Sequence, residues 1–131
     1  MKKKIYTILV LFLSISSFSQ SQLEMNMTAN ESFKKADKEL NVVYQKILKE
    51  YKADILFLKS LKNSQILWIK FRDAEMLTRF PDPDPRAYGS IYPLCYSQYM
   101  EMLTLERIKN LKVWLSGFKE GEMCSGSVKI I

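Results

Sequence analysis

Residues able to do chemistry stand at helical spacing in three places. Leu61, Gln65, Trp68 and Arg72 share one face of a helix. Asp37 and Asn41 lie one turn apart in an earlier stretch, and Thr104 and Arg107 do much the same in a later one. A face carrying an amide, an indole and a guanidinium is unusual for a plain core, because Gln and Arg are rarely buried without partners. If helices pack side by side, Asp37 could reach Arg72 or Arg107. Asn41, Gln65 and Thr104 could then take the remaining donors. The expected arrangement is an interhelical polar network of Asp37, Asn41, Gln65, Trp68, Arg72, Thr104 and Arg107 that fixes helix register. The competing reading, a ligand site on one face of the helices, is given less weight. Removing Arg72 from such a network is expected to cost about 3–5 kcal/mol.

Catalysis finds little support. The chain has no His, which removes the commonest general base and most zinc sites. It has no Gly-rich phosphate loop and no G-x-S-x-G run. Cys95 has no His to activate it as a nucleophile. Asp82 and Asp84 are close, but they sit in a Pro-locked loop, where they read as ordinary solvated carboxylates. No catalytic residue, metal or cofactor is therefore assigned, and the chain is read as a non-enzyme.

Three helices are expected to position these groups. The first, at about 30–51, opens on a capping box, Thr28 to Glu31, and carries the stripe Phe33, Ala36, Leu40, Val43, Tyr44, Ile47 and Tyr51. A break at Lys52-Ala53-Asp54, with Asp54 as the next N-cap, leads into a second helix ending near Arg79. Pro81, Pro83 and Pro85 then stop the chain and predict an extended, polyproline-like loop. Pro93 suits the first turn of a third helix, whose stripe runs to about Phe118, with Gly117 and Gly121 marking the stop. The tail, residues 119–131, has no clear period. The fold class is all-α, an antiparallel three-helix bundle with a Pro/Asp-rich loop between helices 2 and 3.

The chain opens with Met1-Lys2-Lys3-Lys4, an apolar run to Leu13 and the small-residue stretch Ser14 to Ser19. This is the pattern of a secretory signal peptide, with cleavage before Gln20. Its apolar run is well short of the ~20 residues needed to span a bilayer. No Cys follows it for a lipid anchor. Removing 19 of the 131 residues leaves 112, enough for one domain with its core at about 28–118. Three lysines go with the leader, so the net charge falls from +6 to +3. The other lysines are spread along helix faces without a run, which argues against nucleic acid. After cleavage no membrane association is expected, and the product is exported, periplasmic or secreted.

Cys95 and Cys124 are the only cysteines. A helix from Cys95 to Phe118 would be about 35 Å long, and the six residues onward reach back only about 20 Å. A bridge would need a later helix start or an earlier end. Free thiols and an intermolecular bond are the other readings.

Several stretches in order resemble one family. They are Met25-Asn26 with Ala29, then Ala36-Asp37-Lys38-Glu39-Leu40-Asn41 with Tyr44, then Leu61 and Gln65 leading into Trp68-Ile69-Lys70-Phe71-Arg72-Asp73-Ala74-Glu75. Gly89-Ser90 with Pro93, and Leu103-Thr104 with Arg107, complete the set. This pattern, from about residue 25 to residue 115, is similar to the LprI-type lysozyme-inhibitor-like family of small exported bacterial helical domains. The resemblance implies fold, compartment and inhibition of lysozyme. It also marks a departure. The family usually has Cys where Met76 and Tyr99 stand here, so an inter-helix disulfide is missing and an apolar contact is expected in its place.

For an inhibitor, the candidate partner-binding segment is the Phe80–Ile91 loop, with Asp82, Asp84, Arg86 and Tyr88. Proline stiffening lowers its entropy loss on binding. The candidate partners are lysozyme or another extracytoplasmic protein. The alternative is a periplasmic structural or interaction protein without lysozyme activity. It could self-associate through helix 2, where Ile55 to Leu58 and Ile66 to Ile69 are apolar on more than one side.

Overall fold

The computed structural model of the protein describes the backbone of residues 2–131 and the side chains from Ser19 onward. Apart from Ser19, the side chains of the expected signal segment lie outside the described residues. The described residues form three α-helices: α1 (Lys2–Glu50), α2 (Ile55–Arg79) and α3 (Tyr92–Ser116). A 3₁₀ turn, Pro85–Tyr88, sits between α2 and α3. No strand is present among the described residues; a single bridge joins Phe118 to Ile130.

The first helix starts far earlier than the capping box at Thr28 suggests. No Gly or Pro lies between Lys2 and Glu50, and Ser, Thr and Asn each cost a helix interior only a few tenths of a kcal/mol. Nothing in the chain stops the helix, so Thr28 and Glu31 are interior positions. Packing also asks for this length. The early half of α3 buries Ser97 and Met100, and Ala29 and Phe33 of α1 lie beside it.

The seam between α1 and α3 is built from residues seven apart. Ala29, Ala36 and Val43 are buried on α1, with Leu40 and Ile47 buried beside them. Ser97, Thr104 and Leu111 are their buried counterparts on α3. A seven-residue repeat keeps one narrow strip facing the partner helix, and its small members let the backbones approach closely. Thr104 satisfies its hydroxyl by donating to the Met100 carbonyl at 2.7 Å, so it can be fully buried.

The break expected at 52–54 is present. Asp54 caps α2, its carboxylate accepting from the Phe57 N–H at 2.9 Å. Phe57 and Leu61 then join Leu40, Val43, Ile47, Ile108 and Leu111 in the main core. The far end of α2 uses a second cluster: Met76 packs with Met100 and Leu103, and Phe33, Phe80 and Tyr99 flank them. The positions where the resembling family carries Cys are thus in one apolar cluster.

The tail is ordered. The Phe118 N–H donates to the Lys129 carbonyl and the Ile131 N–H to the Phe118 carbonyl, both at 2.8 Å. Tyr51 ties this clasp to the α1–α2 corner. Its hydroxyl donates to the Trp114 carbonyl at 2.9 Å and accepts from the Lys129 N–H at 3.1 Å. Gly117, at φ 76°, ends α3, and a Cβ there would lie 2.8 Å from Ile131 and 2.9 Å from the Lys129 oxygen. Both cysteines are free thiols.

Candidate functional site

Two polar constellations result. The first is a joint between α2 and α3. Leu61, Gln65, Trp68 and Arg72 do form the inward face of α2: Leu61 is buried and the other three are half-buried. Arg107 of α3 meets them. Its Nε donates to Gln65 Oε1 at 3.0 Å and a terminal nitrogen donates to Ser64 Oγ at 3.0 Å. Its guanidinium also lies 5.9 Å from the centre of the Trp68 ring. Arg72 approaches the same ring at 5.4 Å.

The carboxylate expected here is absent. Asp37 makes no ion pair among the described residues; Asn41 donates only to the Asp37 backbone carbonyl, at 3.1 Å. The helix phase explains this. With Ala36, Leu40, Val43 and Ile47 turned to α3, Asp37 and Asn41 are carried round towards the edge of α1. Arg72 pairs instead with its neighbour Asp73, at 2.9 Å. Thr104 bonds within its own helix and reaches neither arginine. Gln65, Trp68 and Arg107 are therefore brought together, and Asp37, Asn41 and Thr104 stand outside the joint.

Arg107 holds a half-buried charge with neutral acceptors. Burial lowers its pKa, and the nearby Tyr44 opposes that shift. Tyr44 is raised, chiefly by its own burial, with the positive Arg107 pulling the other way. No buried side-chain nitrogen or oxygen among the described residues lacks a partner.

The second constellation caps the end of the molecule where α2 turns into α3. Asp84, before Pro85, has extended backbone at φ −89°, ψ 107°, and the loop closes on its own side chains. Asp82 Oδ1 accepts from the Asp84 N–H at 2.9 Å, and Asp84 Oδ1 from the Arg86 N–H at 3.0 Å. Aspartate side chains that bond the backbone two residues on favour turns, and Asp84 caps the 3₁₀ turn Pro85–Tyr88 in this way. The Asp84 carboxylate also takes the Arg86 guanidinium, at 2.8–3.1 Å. That contact holds Asp84 below the usual carboxylate range. The Asp82 N–H donates to the Tyr88 hydroxyl.

Sequence reasoning missed the aromatic half of this cap. Tyr88 and Tyr92 stack at 5.3 Å, with the edge of Phe80 against both and Tyr96 following at 5.6 Å from Tyr92. The signal was there: Tyr88, Tyr92 and Tyr96 recur every four residues. Burial, and then Tyr96 and Tyr88, raise the Tyr92 pKa. Beside the stack is an open groove of about 480 Å³ lined by Asn26, Met27, Asn30, Tyr92, Pro93, Tyr96 and Ser97. Behind the cap, the Tyr99 hydroxyl donates to Glu75 at 3.1 Å and Arg79 lies 4.6 Å over its ring.

Among the described residues no group of three or more His, Cys, Asp or Glu could hold a metal. Nor is any helix there long and apolar enough to cross a membrane. The molecule is an all-helical protein whose polar groups are spent on joints and turns, with an aromatic surface at one end. A family model described as "Lysozyme inhibitor LprI" matches residues 16–111. The chain belongs to that family. No curated protein and no solved structure matches it.

Proposed function

We propose that this is an exported binding protein that inhibits lysozyme by occluding its cleft. The observation that carries the reading is the family match over residues 16–111. On this reading residues 1–19 are a signal peptide, 20–131 form one domain in the periplasm or outside the cell, and the chain binds without catalysing. The helices are taken as antiparallel neighbours. In support, Phe57 lies by Trp114, Gln65 by Arg107 and Glu75 by Tyr99, so rising numbers on α2 meet falling numbers on α3.

The contact surface is the cap, and its chemistry differs from a display of carboxylates. Asp84 is matched by Arg86 and Asp82 is turned onto the loop backbone, so Asp82, Asp84 and Arg86 serve to shape the turn. Tyr88, Tyr92 and Tyr96 are the groups offered to the partner. Tyrosines pre-set by stacking give large contact area at low entropy cost. This suits a net-positive chain meeting a basic enzyme, because little depends on charge attraction.

Calorimetric titration of a c-type lysozyme, with and without a chitin oligosaccharide in its cleft, tests the mode. Occlusion predicts that the sugar competes. Equal affinity with the cleft filled rejects it.

A further inference from the structure

The groove beside the tyrosine stack differs in character from the grooves on the outer faces of α1. Those hold Lys34 and Lys38, or Glu24 and Glu31. None of the residues lining this one, from Asn26 on α1 to Ser97 on α3, carries a charge. Its volume of about 480 Å³ is within the ~300–1,000 Å³ of small-ligand sites.

Its polar groups have hydrogen-bonding capacity left over. Ser97 is only 7% exposed, and its hydroxyl has no hydrogen-bond partner among the described residues. Every fully enclosed side-chain oxygen there does have a partner, so the Ser97 hydroxyl opens to the outside, and Ser97 lines the groove. Asn26 Oδ1 accepts from Gln22 Nε2 at 2.9 Å, which leaves the two N–H donors of Asn26. Asn30 stands one turn further on, its amide without a partner among the described residues. Unlike those of Tyr88 and Tyr99, the hydroxyls of Tyr92 and Tyr96 have no such partner either. The rings are held in place. Tyr88 stacks on Tyr92 at an interplanar angle of 21°, and Phe80 meets Tyr92 edge-on. Tyr96 is tilted by 54° to Tyr92, is 36% exposed, and keeps ring surface for a ligand.

A wholly apolar ligand would cover these amides and hydroxyls without replacing their water. An ion would find no counter-charge. What fits is a neutral ligand with hydroxyls, amides and a flat C–H face, which is a saccharide. Its C–H bonds suit the negative face of an aromatic ring, and its polar groups suit amides and hydroxyls that both donate and accept. We propose that the groove binds an N-acetylhexosamine saccharide, stacked on Tyr96 and hydrogen-bonded by Asn26, Asn30 and Ser97. The acetamido group selects this sugar. Its carbonyl takes an asparagine N–H, its N–H gives to a hydroxyl, and its methyl finds the apolar surface of Met27 and Pro93. Sugar binding here goes beyond lysozyme inhibition and does not depend on it.

Heteronuclear NMR titration of the purified full-length chain with the N-acetylglucosamine trimer of chitin tests it, with no enzyme present. The expected result is saturable shifts of the Asn26 and Asn30 side-chain amides, at a Kd of about 1 mM. Cellotriose, which lacks the acetamido groups, should bind at least about fivefold more weakly. Asn30→Ala and Ser97→Ala should each weaken binding about fivefold or more. Their helical circular dichroism should match wild type, since alanine is the best helix former and fits wherever serine does. In the lysozyme competition, the Asn30→Ala/Ser97→Ala chain leaves the sugar only the enzyme's cleft to act in, so sugar binding and inhibition are judged separately. No saturable shift at about 10 mM sugar overturns the proposal. So does equal binding of cellotriose, tighter binding of an uncharged tripeptide amide, or binding that both substitutions leave untouched.

Discussion

Replacing Arg107 by alanine should cost about 2–3 kcal/mol, and replacing Arg72 only about 1 kcal/mol. The two residues look equivalent in the sequence, and the difference follows from their contacts. Arg107 spans two helices with two hydrogen bonds at 3.0 Å, to Gln65 and Ser64. Bonds to a charged donor are worth about 1.5–3 kcal/mol when sheltered, and half-exposure brings this pair to the lower end. Arg72 bonds only to the adjacent Asp73, an exposed carboxylate, and such pairs give about 0–1 kcal/mol. Each arginine adds a contact with Trp68 of about 0.5–1 kcal/mol. Because no carboxylate neutralises Arg107, methionine should replace it at a cost of about 1 kcal/mol, keeping the stem and removing a half-buried charge. Thermal unfolding should fall by roughly 10 °C for Arg107→Ala against roughly 4 °C for Arg72→Ala. A cycle with Gln65→Ala should give a coupling of about 1 kcal/mol. Equal losses for the two arginines, or no coupling to Gln65, would refute the joint.

Gly117→Ala should destabilise by about 2 kcal/mol or more, because the residue is at positive φ and its Cβ would meet Ile131 and Lys129; limited proteolysis should then find the tail first. Tyr51→Phe should cost about 1–2 kcal/mol in urea unfolding, since the Lys129 N–H and the Trp114 carbonyl each lose a partner. Tyr44, Tyr92 and Tyr99 all have raised pKa values, so the fold favours their neutral forms. Their contribution is complete below the unfolded value near 10 and is lost as pH rises through the higher folded values. The urea midpoint should therefore fall as the pH rises above about 10, and a midpoint that rises there would contradict the assignment.

The helix faces were legible because burial follows period. The stripe read on α1 is the one buried, and the α2 face carrying Gln65 and Trp68 does point inward. Helix ends were legible where a residue with one conformational use stood, as at Asp54, Pro93 and Gly117. The start of α1 was not, because Thr28 with Glu31 makes a cap only where the chain actually turns. Pairing between helices was not legible either. Whether Asp37 meets an arginine depends on about 90° of rotation around α1, which the seam with α3 decides. Likewise the carboxylates of the loop were visible, but their use on their own backbone was not. The tail escaped because its clasp depends on Tyr51, far away in sequence.

Inhibition itself is the most direct test. Purified protein is added in increasing molar excess to a c-type lysozyme, and lysis of a bacterial cell-wall suspension is followed. The account predicts saturating inhibition that is lost in a Tyr88→Ala/Tyr92→Ala variant with an unchanged helical spectrum. Undiminished lysis at large excess, or full inhibition by the double variant, would contradict it.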